Sequence, residues 1–332
     1  MDHTEQPLVS VGVPVFNGET GLARALDSLL GQDYGNLEII VSDNASTDRT
    51  PDICREYVQR DRRVRYYRSE RNQGATWNFN RVFELSSGKY FMWAAHDDQR
   101  ERNFVRACVE RMEQCPDAVL CQTHTASFIE GRPDLLCVGT LDSFEGVTDL
   151  VARYRETLER SPATAIYGLY RSGAMRKTRM LRRSIATDLA FIQELSIHGE
   201  FVQVPEVLFK YLGRADWNTV DQDYQAFTGK EAKPWWYLPF VVLFVDHWGR
   251  IAGAPIPLGT KLRLWHVLLE HEARQVALKS LIKVAGMTCP ERWRRKLGSQ
   301  VYYRWLHSPN MRVGCQELFL KRVIGPRLGW WR

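Results

Sequence analysis

Residues 90–98 constrain the fold of this chain more than any other stretch, because an apolar, aromatic run ends there in two adjacent carboxylates, Asp97 and Asp98. The run is too short to cross a membrane and predicts a β-strand covered on both faces. An open α/β sheet binds ligands in the crevice outside the carboxyl ends of its strands. A divalent cation shared with substrate phosphates would explain the pair. The alternative is that one aspartate caps the following helix, and this stretch alone leaves both interpretations open.

Strand and helix patterns alternate from residue 8 to residue 123. Apolar, β-rich runs occur at residues 8–16, 37–41, 64–67, 90–95 and 118–123, with helical spacing of apolar residues between them. This alternation predicts a mostly parallel sheet flanked by helices. Polar residues follow three of these strands, as Asn17-Gly18, Asp43-Asn44 and Asp97-Asp98. Because the carboxyl ends of parallel strands meet at one edge, this convergence favours a binding site over helix capping.

Local signals predict where other elements begin and end. Thr50 precedes Pro51 and is predicted to cap a helix with its side chain. Asp188 follows Thr187 at the start of a predicted helix, where capping and a functional role both remain open. The remaining patterns predict a strand at residues 165–170, a pair of short strands around Pro205 at residues 201–211, and a polar loop at residues 212–225.

Five motifs follow one another in a characteristic order between residue 7 and about residue 215. They are Val13-Pro14-Val15-Phe16-Asn17, the polar residues 43–50, Arg71-Asn72-Gln73-Gly74, His96-Asp97-Asp98 and Thr187-Asp188-Leu189. In this order they resemble the motifs of the inverting family 2 glycosyltransferases. The resemblance implies a GT-A (Rossmann-like) nucleotide-sugar-binding fold in residues 1–225 and a helical carboxy-terminal extension in residues 226–332.

The resemblance also implies how a UDP- or dTDP-sugar donor would be bound. Asp43 would accept a hydrogen bond from the uracil or thymine imide, and Asp97 would hold the ribose. The base pocket would be shaped by Pro14 and Phe16, beside Asn17 in the same turn. The remaining nucleotide contacts would come from Arg71 and Asn72, and from Arg214 on the diphosphate, where relatives often carry Arg or His after the last strand.

For the reaction itself, the resemblance implies a metal ion and a general base. Asp98 would bind Mg²⁺ or Mn²⁺ bridging the diphosphate, with His96 as a weaker ligand. The cation would act as a Lewis acid on the leaving nucleoside diphosphate. Asp188 would deprotonate the acceptor hydroxyl as it attacks the anomeric carbon from the opposite face. Lipid, polysaccharide, peptide and small-metabolite acceptors all remain open.

Charge and cysteine usage set further expectations. The net charge is +6, yet residues 261–332 contain fifteen Lys or Arg against four Glu, so the rest of the chain is acidic. The seven cysteines form no Cys-x-x-Cys pair, which favours buried thiols over disulfides or a zinc ribbon. The first thirty residues lack the pattern of a secretory signal, so we expect cytoplasmic synthesis and localisation.

The carboxy-terminal third combines aromatic and basic residues. Residues 235–245 form an apolar run of eleven, too short to span a bilayer, and a helical stripe follows at Leu262, Trp265, Leu268 and Leu269. One interpretation is a helical cap that packs on the catalytic domain and builds the acceptor side. The other is peripheral attachment to an anionic membrane surface on the cytoplasmic side. Nucleic acid is not an expected partner, since no groove-reading motif is present.

Three other functions compete with that of a glycosyltransferase. A nucleotidyltransferase would need a glycine-rich, basic first loop, which residues 14–18 do not provide. A metal phosphohydrolase built on His96-Asp97 is a weaker hypothesis still, because the other seven histidines show no metal-ligand spacing. The third alternative is a catalytically degenerate member of the family that serves as a binding or scaffold protein. The joint presence of Asp43, Asp97, Asp98 and Asp188 argues against it.

Overall fold

The computed structural model describes residues 6–129, 132–139, 145–161, 163–213, 219–235 and 237–288. The strands are β1 Val9–Val15, β2 Leu37–Asp43, β3 Val64–Arg68, β4 Tyr90–Trp93, β5 Gln99–Arg100, β6 Ala118–Ile129, β7 Arg132–Gly139, β8 Leu169–Arg171 and β9 Glu200–Gly213. The helices are α1 Leu22–Leu30, α2 Thr50–Arg60, α3 Ala75–Glu84, α4 Phe104–Gln114, α5 Leu150–Arg160, α6 Ser172–Met175, α7 Thr187–Leu195, α8 Val220–Thr228, α9 Pro239–Gly253 and α10 Leu258–Thr288, with a 3₁₀ turn at Ala163–Tyr167.

Within these ranges the strands form one mixed, mostly parallel sheet in the order β3-β2-β1-β4-β8-β6-β9-β5, with β7 paired to β6. Strands β1 to β4 run parallel to one another, and β6 runs parallel to β9. Strand β8 is antiparallel to both β4 and β6. This confirms the predicted α/β class and brings the carboxyl ends of β1, β2 and β4 to one edge.

Strand β4 is covered on both faces, as its sequence predicts. Successive side chains of a strand point to opposite faces. Tyr90 and Met92 belong to an apolar cluster with residues of α1 and α4, whereas Phe91 and Trp93 belong to a second cluster with α3 and α7. All four side chains are fully buried. The sheet edge that follows Trp93 therefore rests on a strand fixed from both sides.

Two predictions about β9 and its surroundings were wrong. The two short strands expected around Pro205 are one continuous strand, because β9 keeps its pairing with β6 across irregular register near Thr123 and His124. The polar loop expected at residues 212–225 contains most of helix α8 instead. Its start is a capping box between Thr219 and Gln222, in which each side chain bonds the other residue's backbone N–H.

Two further local predictions were also wrong. Residues 165–167 belong to a 3₁₀ turn, and β8 begins only at Leu169. Thr50 does not cap α2 with its hydroxyl, which instead accepts a 2.8 Å hydrogen bond from the N–H of Gly18. The N–H of Thr50 is bound by the Asp48 carboxylate at 3.0 Å. Thr50 therefore ties the β1 turn to α2, which a capping rule based on sequence cannot detect.

Helices α5, α9 and α10 pack against one another. Tyr154 and Leu158 of α5 form an apolar cluster with Ile251 of α9 and Leu264 of α10. None of the helices in the described ranges is long and apolar enough to span a membrane. The division into domains near residue 225 stays a prediction, as does the role of the basic, aromatic residues 289–332, which lie outside the described residues.

Candidate active site

The turns after β1 and β2 are bonded to each other at the carboxyl edge of the sheet. Asn17 adopts a left-handed backbone with φ of 51°. Its N–H donates to Ser46 Oγ at 2.9 Å, and its Oδ1 accepts from the Thr47 N–H at 2.9 Å. Phe16 is partly exposed beside this turn, whereas Pro14 is buried within β1. Asn17 therefore acts as a brace between two loops, a role that its turn signal does not reveal.

Asp43 ends β2 with a fully buried carboxylate. Oδ1 accepts from the Ser46 N–H at 2.8 Å, and Oδ2 accepts from the Tyr66 hydroxyl at 2.8 Å. The Arg68 guanidinium lies 3.4 Å from Oδ2. A carboxylate offers about four acceptor positions. A nucleotide base would therefore have to donate to the acceptor position of the carboxylate that these three partners leave free. This role of Asp43 stays a prediction.

Asn44 joins the end of β2 to the loop at residues 71–74. Its side chain is buried and donates to Asn72 Oδ1 at 2.9 Å and to the Gly74 carbonyl at 3.2 Å. Its Oδ1 accepts from the Gln73 N–H at 2.9 Å. These bonds hold the exposed residues Arg71 and Asn72 at the same edge as Asp43. Arg214, the remaining predicted nucleotide contact, lies outside the described residues.

His96 and Asp97 pack closely against the β1–α1 turn. A Cβ atom added to Gly18 would lie 2.8 Å from His96 Cδ2, and one added to Gly21 would lie 3.1 Å from the Asp97 Cα. Neither position has room for a side chain, so the two glycines let the chain after β4 approach this turn. Asp97 is half-buried and follows His96 directly.

Asp98 is buried immediately before β5 and is not a helix cap, since α4 begins after Asn103. Its Oδ1 accepts a 2.9 Å hydrogen bond from the Leu212 N–H, and its Oδ2 has no partner among the described residues. Burial raises the pKa of Asp98 to about 7, Asp97 adds to the rise, and the Leu212 N–H and Arg100 oppose it. Leaving a buried acceptor unpaired costs about 1–3 kcal/mol. A cation at Oδ2 would remove that cost.

Tyr167 connects the two halves of the site. The carboxylates of Asp98, Asp97 and Asp188 are all near enough to add to the rise in its pKa, which burial causes in the first place. Tyr211 of β9 is also adjacent, with ring centroids 6.5 Å apart. The structure thus brings together carboxylates from positions ninety residues apart in the chain. Sequence reasoning missed both tyrosines, because nothing in an apolar stretch or a strand distinguishes them from core residues.

Asp188 lies in the first turn of α7 and does not cap it. The residue before the helix is Ala186, which has a left-handed backbone with φ of 57°, and no side chain accepts a capping bond there. Burial raises the pKa of Asp188, while the backbone N–H groups of Leu189 and of Asp188 itself oppose the rise. A carboxyl with a raised pKa is a stronger base than an ordinary aspartate.

A buried ion cluster holds α7 in place. The Arg250 guanidinium on α9 contacts Glu194 near the end of α7, and it donates to Asp246 Oδ2 at 2.8 Å. It also donates to the Met180 carbonyl at 2.9 Å, in the segment that leads to α7. Glu194 and Arg250 are both less than 5% exposed. Helix α9 therefore fixes the element that carries Asp188.

The donor set for a metal is small. Among the described residues, no three His, Cys, Asp or Glu side chains are grouped so as to hold a metal ion. A Mg²⁺-type site needs only one or two carboxylates when phosphates and water supply the other ligands. The unpaired Oδ2 of Asp98 fits that arrangement. His96 packs on Gly18, and its part in metal binding stays a prediction.

Comparison with known sequences gives a consistent match. Residues 10–186, more than half of the chain, match the sequence profile described as Glycosyl transferase family 2. The chain is 35% identical over 104 residues to "Glycosyltransferase GlyA" of Streptococcus pneumoniae, covering 31% of this chain and 15% of that protein. It is 33% identical over 117 residues to "Putative glycosyltransferase EpsH" of Bacillus subtilis, covering 35% and 34%. The match thus spans about a third or less of the length of these relatives.

Solved structures share the fold. S. aureus TarS 1-349 in complex with UDP superposes with a TM-score of 0.60 at 16% identity, covering 87% of this chain and 77% of that one. Mannosyltransferase PcManGT from Pyrobaculum calidifontis, in complex with GDP-Man and Mn²⁺, gives a TM-score of 0.57 at 16% identity, covering 99% and 89%. At this identity the likeness extends to the GT-A fold alone.

Proposed function

Because this chain belongs to glycosyl transferase family 2, we propose that it transfers a hexose from a UDP- or dTDP-sugar to an acceptor hydroxyl with inversion at the anomeric carbon. The observation that carries the proposal is the grouping of Asp97, Asp98 and Asp188 around Tyr167. An inverting transferase needs separate groups for the leaving diphosphate and for the attacking hydroxyl. The two ends of this grouping provide them.

The donor is proposed to bind along the turns after β1, β2 and β4. Structural neighbours are described in complex with UDP, UDP-GlcNAc and GDP-Man, which supports a nucleotide-sugar donor in general. The base would lie near Phe16 and the free acceptor position of Asp43, and the ribose at Asp97. The exposed residues Arg71 and Asn72 would contact the nucleotide from the neighbouring loop.

We assign the metal site to Asp98, with His96 beside it. The Mn²⁺ in the PcManGT complex supports a divalent ion, either Mg²⁺ or Mn²⁺, at this type of fold. When bound, the ion would supply Lewis-acid stabilisation of the departing diphosphate. Asp98 contributes a carboxylate oxygen already held in place by the Leu212 N–H bond to its other oxygen. Little side-chain reorganisation is then needed on binding.

Asp188 is proposed as the general base. Its carboxylate takes the proton of the acceptor hydroxyl while that oxygen forms a bond to the anomeric carbon. The bond from this carbon to the diphosphate oxygen breaks with its electron pair on the leaving nucleoside diphosphate. Burial raises the pKa of Asp188 and so increases its basicity. The buried cluster of Arg250, Glu194 and Asp246 keeps α7, and with it this carboxylate, in a fixed orientation.

The test is a donor screen that measures released nucleoside diphosphate. Water takes the place of the acceptor hydroxyl in this assay. We expect wild-type protein with Mn²⁺ to release UDP or dTDP from at least one of UDP-GlcNAc, UDP-glucose and dTDP-glucose. Asp188→Asn keeps the size of the side chain but removes the base, and we expect its rate to fall by about 10²–10⁴-fold with donor affinity unchanged.

The same screen separates an enzyme from a scaffold. A degenerate binding protein would hold the nucleotide with no turnover, and its Asp188→Asn variant would be indistinguishable from wild type. Equal rates for the two proteins would show that Asp188 is not the base. Release of a sugar 1-phosphate instead of a nucleoside diphosphate would indicate nucleotidyl transfer, because the bond between the two phosphates would then break.

A further inference from the structure

Helix α9 has charged residues on its buried side and apolar residues on its outward face. Its ionisable residues, Asp246, His247 and Arg250, are each no more than 8% exposed. Its outward face carries Val241 and Val245, which are 53% and 61% exposed, and has no charged residue. Amphipathic surface helices normally place their charged and polar residues on the outward face. The outward face of α9 is therefore suited to an apolar environment.

Helix α10 continues this surface. Leu258, Leu262, Trp265 and Leu269 recur at intervals of four, three and four residues and share one face. The three leucines are each about half exposed or more. The Trp265 ring stacks on Trp248 of α9, with centroids 4.7 Å apart and planes inclined by 13°. We call the combined surface the apolar ridge: Val241, Val245 and Trp248 on α9, and Leu258, Leu262, Trp265 and Leu269 on α10.

Positive charge accompanies the apolar ridge. Lys261 and Arg263 lie on α10 within the length of the ridge, and Arg263 is exposed. Residues 289–332, which follow α10 in the chain, contain ten Lys or Arg and two Glu. The chain from Leu258 onward is thus net basic, with Glu270 and Glu272 as the acidic residues of α10. Contiguous apolar surface of this kind marks a protein or membrane contact in soluble proteins.

We infer that the apolar ridge docks this protein on an anionic lipid bilayer. The ridge side chains would enter the boundary between headgroups and acyl chains, with α9 and α10 lying along the surface. Lys261 and Arg263 would be attracted to the anionic headgroups. A second copy of the chain is a poorer occupant, because a two-fold contact through the same face would bring like charges together.

The test uses full-length protein and flotation with vesicles of phosphatidylcholine alone or with roughly a third of phosphatidylglycerol. We expect wild-type protein to float with the anionic vesicles and to be released by high salt. The double variant Val245→Glu and Leu262→Glu changes two exposed positions on the ridge. It should bind at least about tenfold more weakly, because each substitution loses apolar transfer free energy and adds a negative charge.

Val58→Glu is the matched control, since Val58 is 40% exposed on α2, away from the ridge. It should float like wild type, and all variants should retain nucleotide binding as a check of folding. Equal flotation of the ridge variant and wild type would overturn the inference, as would equal binding to neutral vesicles. Dimerisation of wild type without vesicles, abolished in the ridge variant, would assign the ridge to a second copy. The inference would also be overturned if wild type did not float and the ridge variant, but not Val58→Glu, lost much of its thermal stability. That result would show that the chain itself covers the ridge.

Discussion

Replacing Asp98 by Asn is expected to stabilise the metal-free protein in a pH-dependent way. Burial raises the pKa of this carboxyl from 3.8 to about 7. One pKa unit corresponds to about 1.36 kcal/mol, so ionising Asp98 in the folded state costs about 4 kcal/mol in full. The folded state binds this proton more tightly than the unfolded state. The cost is therefore absent below pH 4, grows as pH rises to 7, and is fully present above that.

Asparagine keeps the acceptor for the Leu212 N–H and removes the titration. We compare the free energy of unfolding of Asp98→Asn with that of wild type. The difference between the two proteins should shift in favour of the variant by about 2–3 kcal/mol from pH 5 to pH 8. Urea unfolding with a chelator present measures the difference at both pH values, and any constant cost of the amide cancels. Asp117→Asn is the control, because Asp117 is exposed. The reasoning would be refuted if the difference between Asp98→Asn and wild type were the same at pH 5 and pH 8.

Two further substitutions test how the site is held together. Arg250→Met leaves the buried Glu194 and Asp246 without their shared partner. We expect the free energy of unfolding, measured by thermal unfolding, to fall by about 3–5 kcal/mol. A fall of less than about 1 kcal/mol would mean that the cluster is solvated. Asn44→Ala removes the hydrogen bonds to Asn72, Gln73 and the Gly74 carbonyl. We expect calorimetry to show that the variant binds the nucleotide about tenfold more weakly, or weaker still. Unchanged affinity would exclude the loop at residues 71–74 from the donor site.

The sequence was informative where periodicity and local chemistry agree. The runs that end at Asn17, Asp43 and Asp97 became β1, β2 and β4, with their carboxyl ends at one edge, because alternating strands and helices leave few alternative topologies. The family and the fold class followed from motifs on these ends. The roles of the individual residues remain predictions, since a motif identifies a position and not its contacts.

What the sequence did not reveal depends on long-range contacts. The charges of Asp97, Asp98 and Asp188 all raise the pKa of Tyr167, because the 3₁₀ turn that carries it packs against β4 and α7. The apolar run at residues 235–245 did not reveal that Asp246 and Arg250 of α9 are buried, because the partners of Arg250 include Glu194 and the Met180 carbonyl, which are distant in the chain. Helix α8 was also missed, but not for this reason. Its start is a local signal, the capping box of Thr219 and Gln222, which is visible in the sequence.

The central claim is that Asp98 binds the donor's metal while Asp188 performs the chemistry. The most direct measurement is a calorimetric titration of UDP and dTDP, with and without Mn²⁺, into wild type, Asp98→Asn and Asp188→Asn at pH 8. We predict metal-dependent binding to wild type and to Asp188→Asn, and loss of that binding in Asp98→Asn. Metal-dependent binding to Asp98→Asn with wild-type affinity would contradict the account.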